Sequence, residues 1–165
     1  MEKSLVSLPP ALYVVSTPIG NSRDITLRAL DVLAAADVLA AEDTRMARRL
    51  LELHGLSPGE RPLIAYHDHN GKAQRPRQLA ALEAGRSVAY VSDAGTPMVA
   101  DPGYVLCREA IAAGHEVIAV PGASAALAGL TVSGLPTDRF LFGGFAPTKP
   151  AARRRFFAGF ESVEA

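Results

Sequence analysis

The stretch VAYVSDAGTP, residues 88–97, joins a run of four apolar residues directly to a loop of small and acidic ones. Apolar side chains at consecutive positions, rather than at alternate ones, indicate a strand that is covered on both faces. Further runs of the same kind occur at residues 12–15, 38–41, 63–66 and 117–120. A segment with helical character follows each run. The pattern predicts an α/β fold, with an open, mostly parallel five-stranded sheet and helices on both faces.

The composition is that of an ordinary folded protein. Hydrophobic residues make up 48% and charged residues 21% of the 165 positions, which excludes intrinsic disorder. The 17 basic and 17 acidic residues balance, so a general nucleic-acid coat is not expected, although a local basic face is compatible with that sum. The single Cys107 excludes a disulfide framework and is expected in the core. No apolar run approaches the roughly 20 residues of a membrane helix, and we expect a cytoplasmic protein with no membrane partner.

The pattern changes after Gly134. Residues 136–139 have the composition of a linker, residues 140–145 predict a strand, and a basic helix that carries Phe156, Phe157 and Phe160 follows Pro150. One strand and one helix cannot close a core, so these phenylalanines are expected to lack partners within the chain. We therefore expect an N-terminal domain over residues 1–135. Residues 136–165 are expected to be a linker and the beginning of a truncated second α/β domain.

Ligands of open parallel sheets bind outside the carboxyl ends of the strands, so each loop that follows a strand is a candidate site. The second loop is EDTR, residues 42–45. Its Glu42 and Asp43 could orient a substrate hydroxyl or take its proton, or Asp43 could simply cap a helix. Arg45, Arg48 and Arg49 share one helix face, which could meet phosphates or lie in solvent.

The loop after the third strand contains His67 and His69. Two histidines two positions apart, with no third ligand cluster elsewhere, do not predict a metal site. His67 is more plausible as a general base or as a hydrogen-bond partner of a substrate. A histidine with a purely structural role in the loop is the alternative.

The loop after the fourth strand, residues 92–97 continuing to 101–103, is the most informative one. Small residues let a flat, polar cofactor approach the backbone closely, and an acid can hold a ribose or an amino group. The fifth loop, residues 121–125, can present backbone amides to an anion. The first loop, residues 16–21, lacks the G-x-G-x-x-G spacing, so a dinucleotide-binding unit is not supported.

Six motifs stand in the order found in one protein family: residues 17–21, 41–45, His67 with Asn70, 92–97 with 101–103, 121–125 and 133–140. On these segments the chain resembles the ribosomal small-subunit methyltransferase I family of the tetrapyrrole methylase superfamily, over residues 12–150. The resemblance implies two α/β domains with S-adenosyl-L-methionine as cofactor between them. It also implies 2′-O-methylation of a cytidine ribose in the 16S rRNA of the small ribosomal subunit, by a homodimer.

The resemblance places the cofactor on two loops, whose residues are Ser92, Asp93, Ala94, Gly95, Thr96, Pro97, Pro121, Gly122, Ala123 and Ser124. Asp43, Glu42 and His67 are the candidates for accepting or orienting the ribose proton, and Arg45 is the candidate for a flanking phosphate. Two alternatives remain. The first is a tetrapyrrole C- or N-methyltransferase. The charged loop at 42–45 favours an RNA substrate over a tetrapyrrole. The second is a non-catalytic binding or dimerisation module.

Overall fold

The computed structural model describes residues 7–99 and 101–163. Strands and helices alternate in chain order: β1 Leu12–Val15, α1 Leu27–Ala35, β2 Val38–Ala41, α2 Thr44–Leu53, β3 Leu63–Ala65, α3 Gly71–Glu83, β4 Val88–Val91, α4 Gly103–Ala112, β5 Val117–Val120, α5 Ala125–Thr131 and α6 Pro150–Ala158. The five apolar runs are the five strands, and only β3 ends a residue earlier than its run. None of the helices in the described ranges is long and apolar enough to cross a membrane.

The sheet has the order β3-β2-β4-β1-β5, and all its neighbouring strands are parallel. The prediction of an open parallel α/β sheet is thereby confirmed. The chain moves from β1 through β2 to β3 in one direction, then returns through β4 to β5 in the other. Because crossovers between parallel strands are right-handed, the two directions place their helices on opposite faces of the sheet. The helix that follows β4 therefore lies on one face of the sheet, and the helices that follow its neighbours β1 and β2 lie on the other face. Ligands of such sheets bind at this reversal.

Two apolar layers enclose the sheet. Tyr13 and Val15 of β1 pack into the layer formed with α1 and α2. Leu12 and Val14 pack into the layer formed with α3 and α4, where Cys107 is partly buried as expected. Successive side chains of a strand point to opposite faces, so both sets must be apolar when both faces are covered. This is the physical reason for the unbroken apolar runs in the sequence.

Contacts divide the chain into two units, with the division between residues 125 and 126. In the second unit the strand predicted at residues 140–145 is wrong: the segment is irregular, and no backbone hydrogen bond pairs it with another described segment. A strand needs a partner strand, and no local pattern supplies one.

The phenylalanines of α6 and of the turn that follows it also differ from expectation, because they pack on each other. The ring centroids of Phe156 and Phe160 are 5.0 Å apart, and those of Phe156 and Phe157 are 5.5 Å apart. The Phe160 ring also covers Gly143, where a Cβ atom would lie 2.8 Å from it. The helical spacing of Phe156 and Phe160 brings those two rings together, and the missing side chain at Gly143 leaves room for one of them.

The turns at the amino edge of the sheet are joined by Asp37 and Ser87. The Ser87 hydroxyl and N–H donate to the Asp37 carboxylate at 2.7 and 2.8 Å, and the Asp37 N–H donates to the Ser87 hydroxyl oxygen at 3.0 Å. The side-chain hydrogen bond from Ser87, followed by the backbone one, lowers the pKa of Asp37. A carboxyl group with a lowered pKa in the folded state stabilises the fold above its unfolded-state pKa. That stabilisation is lost as the pH falls through the folded-state pKa.

We expect Asp37→Asn to lower the free energy of unfolding near neutral pH by about 1 kcal/mol, a modest value because Asp37 is exposed to solvent. The difference from the parent chain should shrink as the pH falls through the acidic range. Urea unfolding at several pH values measures it. Asp31→Asn, on the exposed side of α1, is the matched control. A deficit that stays constant with pH would assign the effect to packing rather than to charge.

Candidate functional site

The loops after β2 and β4 hold each other through their acidic residues. The Asp43 N–H donates to the Asp93 carboxylate at 2.9 Å, and the Asp93 N–H donates to the Glu42 carboxylate at 3.3 Å. The sequence predicted both loops at the carboxyl edge of the sheet, and the strand order makes them neighbours. Parallel pairing of Ala41 with Val91 places the two loops side by side.

Glu42 is better suited than Asp43 to accept a proton. It is half-buried, and burial is the main cause that raises its pKa. The hydrogen bond from the Asp93 N–H opposes that shift, while the charges of Asp93, Asp101 and Asp68 add to it. A carboxylate whose pKa is raised is a stronger base, so Glu42 has the electrostatic setting of a general base.

Asp43 has a different environment, because Arg45 occupies its carboxylate. The Arg45 guanidinium donates to both Asp43 oxygens, with the shortest distance 2.6 Å, and the Arg45 N–H donates to Oδ1 at 2.8 Å. These bonds lower the pKa of Asp43 to about 2. Asp43 thus caps α2 and holds the Arg45 guanidinium, and its carboxylate is a weak base.

The loops after β1, β4 and β5 meet on the other side of β4. Thr17 and Gly95 form an isolated antiparallel bridge with N–H···O distances of 2.9 and 3.1 Å. The Thr96 hydroxyl donates to the Ala123 carbonyl at 2.9 Å. Gly122 packs so closely on Ser16 that a Cβ atom there would lie 2.8 Å from the Ser16 Cβ. Small residues in these loops are therefore required for the loops to meet at all.

The ten predicted cofactor residues differ in exposure. Asp93, Ala94, Pro121 and Gly122 are exposed, and Thr96, Ala123 and Ser124 are half-buried. Ser92, Gly95 and Pro97 are buried, with the Ser92 hydroxyl turned toward the Gly95 carbonyl at 3.4 Å. The exposed set forms the surface available to a ligand, and the buried set holds the loop in shape.

Asp101 fixes the far end of the β4 loop. Its carboxylate accepts from the Met98 N–H at 2.7 Å, the Gly103 N–H at 2.6 Å and the Tyr90 hydroxyl at 3.1 Å. Met98 has a φ of +72°, the only positive value of a non-glycine residue in the part of the chain described. A Cβ at Gly103 would collide with the Tyr90 ring. Burial, followed by the Asp101 charge, raises the pKa of Tyr90, which keeps its hydroxyl a donor. The Asp-Pro-Gly sequence was the signal for such a turn.

His67 lies after β3, one strand beyond β2. Its backbone N–H donates to the Asn70 side chain at 2.9 Å, and its ring centroid is 6.0 Å from that of His69. Nδ1 of His67 is buried and has no hydrogen-bond partner among the described residues. The structure gives no bond between His67 and Glu42 or Asp43, so the three predicted proton acceptors do not form one cluster. Within the same ranges no group of three or more His, Cys, Asp or Glu residues could hold a metal ion.

A cavity of about 250 Å³ opens between α2 and the loops after β1 and β4. Its walls are mainly apolar and include Pro18, Met46, Leu50 and Leu53, while Thr17, Arg49, Ser92 and Asp93 add polar groups. Sequence reasoning missed it. The available signal was the spacing of residues 46, 50 and 53, which puts three apolar side chains on one side of α2 beside its arginines.

The domain is a doubly wound α/β domain, as the strand order and its reversal at β4 show. The contacts between loops place its candidate ligand-binding edge around β4. The family model for Tetrapyrrole (Corrin/Porphyrin) Methylases matches residues 11–160, and the chain belongs to this family. Curated relatives named "Ribosomal RNA small subunit methyltransferase I" include that of Mesorhizobium japonicum, 54% identical over 96% of this chain, and that of Xylella fastidiosa, 50% identical over 90%. The resemblance found in the six sequence segments is thus confirmed. The chain spans 53% and 54% of these relatives, about half their length.

Solved structures of the family agree with the fold. The crystal structure of uroporphyrin-III-C-methyltransferase from Thermus thermophilus is 29% identical with a TM-score of 0.54, over 76% of this chain and 52% of that one. A structure of the Thermus thermophilus enzyme in complex with S-adenyl homocysteine is 28% identical with a TM-score of 0.52, over 82% and 54%.

Proposed function

We propose that this chain is part of an S-adenosyl-L-methionine-dependent methyltransferase that methylates the 2′-oxygen of a cytidine ribose in 16S rRNA. The names of its relatives support the RNA substrate, and the complex with S-adenyl homocysteine supports the cofactor. The observation that carries the proposal is the meeting of the β2 and β4 loops through Glu42, Asp43 and Asp93. It puts a candidate base directly beside the loop proposed to hold the methyl donor.

The cofactor would be held by residues 92–97 and 121–124. Pro121, Gly122 and Ala94 are exposed and carry no long side chain, which leaves room for a nucleoside to approach these loops closely. S-adenosyl-L-methionine supplies an electrophilic methyl group on its sulfonium.

The residues of the charged loop have separate roles in this proposal. Glu42 accepts the proton of the ribose hydroxyl, which makes its oxygen a better nucleophile. Asp43 is a positioning residue, because it caps α2 and holds Arg45, and Arg45 contacts a phosphate beside the target ribose. His67 would hydrogen-bond the substrate from the neighbouring strand end.

The remaining proposals concern the whole protein. Residues 1–135 would be the N-terminal domain, and residues 136–165 the linker and beginning of a second α/β domain. The protein would act in the cytoplasm, where its small-subunit substrate is, and as a homodimer. Light scattering of the protein expressed in its full reading frame measures the oligomeric state.

The activity test uses the full reading frame and a cofactor carrying a labelled methyl group. Small ribosomal subunits that lack the modification are one substrate and a porphyrinoid is the other. The proposal expects label in 16S rRNA, recovered as 2′-O-methylcytidine after digestion to nucleosides. Label in the porphyrinoid would favour the tetrapyrrole methyltransferase. Cofactor binding without transfer to either would favour the binding module.

Gly122→Ala tests the placement of the cofactor. A methyl group at this position collides with Ser16 and pushes the β5 loop away from the β1 loop, so we expect the affinity for S-adenosylhomocysteine to fall at least about tenfold. Calorimetry measures it. Gly129→Ala, where a Cβ meets nothing within 4 Å, is the matched control. Adding Ser16→Gly to Gly122→Ala should restore much of the binding. An unchanged affinity in Gly122→Ala would move the cofactor elsewhere.

A further inference from the structure

The cavity beside α2 has features that the roles assigned so far do not use. Met46 and Leu53 contribute to its wall yet are 47% and 60% exposed, so the core does not account for them. Its volume of about 250 Å³ is below the roughly 300–1,000 Å³ of sites for drug-sized ligands. A single flat heterocycle fits such a space, whereas a tetrapyrrole macrocycle exceeds it.

A positive charge beside the cavity indicates which chemical group is attached to that heterocycle. Arg49 lines the cavity, because it lies three residues after Met46 and four before Leu53 on the same side of α2. Arg48 carries the same charge but is not among the lining residues. Neither arginine forms an ion pair within residues 7–99 and 101–163. An apolar slot lined by a guanidinium that forms no ion pair matches a base joined to a phosphate.

The position of the cavity relates it to the proposed chemistry. Asp93 lines the cavity and also donates its N–H to Glu42. A nucleotide whose base occupied the cavity would therefore have its ribose close to the β2 and β4 loops. To reach that position, the base must leave the stack of its neighbours.

We propose that this cavity receives the unstacked base of a single RNA nucleotide and that Arg49 contacts the phosphate of that nucleotide. The inference rests on the proposed function, since it takes the substrate to be RNA. It assigns the base to the α2 side of β4, where the cavity shares Ser92, Asp93 and Ala94 with the loop proposed to hold the cofactor. The other cofactor residues, at 121–124, lie on the β5 side.

The test is a nuclear magnetic resonance titration of the protein in its full reading frame, labelled at the methyl groups of methionine and leucine. Cytidine 5′-monophosphate should shift the resonances of Met46, Leu50 and Leu53, while ribose 5-phosphate, which has no base, should leave them in place. Arg49→Gln should weaken cytidine monophosphate binding about tenfold. Arg48→Gln, the same change of charge one position away, should change it less than about twofold.

The titrations have outcomes that support the cavity assignment and outcomes that overturn it. Methyl shifts that need the base and respond to Arg49 alone support the inference. Absent shifts, equal shifts with ribose 5-phosphate, or equal losses in the two arginine variants overturn it. S-adenosylhomocysteine is titrated into the same samples, and the methylation assay is run beside it. Cofactor binding and RNA methylation without base-dependent shifts would reject the cavity assignment and leave the proposed function standing.

Discussion

Replacing Glu42 by Gln is expected to lower the rate of methyl transfer by about 10²–10⁴-fold and to leave the affinity for S-adenosylhomocysteine within about twofold. The substitution keeps the size of the side chain and an oxygen that can accept from the Asp93 N–H. It removes the carboxylate that takes the proton. Single-turnover rates and calorimetry on the protein in its full reading frame separate the two effects.

The pH profile gives a second, independent reading. The reaction requires Glu42 as a carboxylate, so the rate should fall as the pH drops through its raised pKa. Glu42→Gln should abolish this acidic limb. Asp43→Asn is the matched control: because Arg45 already occupies that carboxylate, we expect a smaller loss of rate and an unchanged limb. Equal losses in both variants, or a limb that persists in Glu42→Gln, would contradict the assignment of the base.

The second large effect is expected from Asp101→Asn. One of the two carboxylate oxygens becomes an amide nitrogen, which cannot accept from the Met98 N–H at 2.7 Å. The backbone of Met98 then keeps its φ of +72° without the bond that holds it there. We expect a loss of about 2 kcal/mol in the free energy of unfolding and a loss of cofactor affinity, because residues 92–97 belong to the same loop. Urea unfolding and calorimetry measure the two.

A double-mutant cycle with Met98→Gly shows whether backbone strain is the reason. Glycine adopts a positive φ at no steric cost, so it has less need of the Asp101 bond. Asp101→Asn should therefore be less destabilising in the Met98→Gly background, with a coupling of about 0.5–1 kcal/mol. Strictly additive effects would mean that Asp101 acts through Gly103 and Tyr90 alone.

The strands could be predicted because their signal is local. Four consecutive apolar residues are visible in the sequence, and a two-sided sheet is the structure that buries them. The strand order β3-β2-β4-β1-β5 could not be predicted. It depends on pairings such as Leu12 with Val88, and these two residues are too far apart in the chain for a local pattern to show them. The same limit explains the wrong strand at residues 140–145: the apolar run was read correctly, but the partner was assumed.

For the candidate site, too, local features could be predicted and contacts between distant segments could not. The sequence places the charged loops at the carboxyl ends of strands, but the contact between the β2 and β4 loops depends on the strand order. The sequence also does not show which carboxylate is free, because that depends on where the Arg45 guanidinium lies. The cavity beside α2 was missed because its walls come from three segments, and only the spacing of its α2 residues is visible in the sequence.

The position of β1 between two strands that come much later in the chain has a consequence for synthesis. Its two neighbours in the sheet are β4 and β5, which begin at Val88 and Val117. At roughly 5–20 residues per second, a ribosome needs several seconds to make β4 after β1 has emerged, and longer to make β5. Until then four apolar residues have no partner strand, whereas β2 and β3 are close enough in the chain to pair early. The newborn chain therefore depends on late contacts to protect its earliest strand, and that interval is when a chaperone would have most to bind.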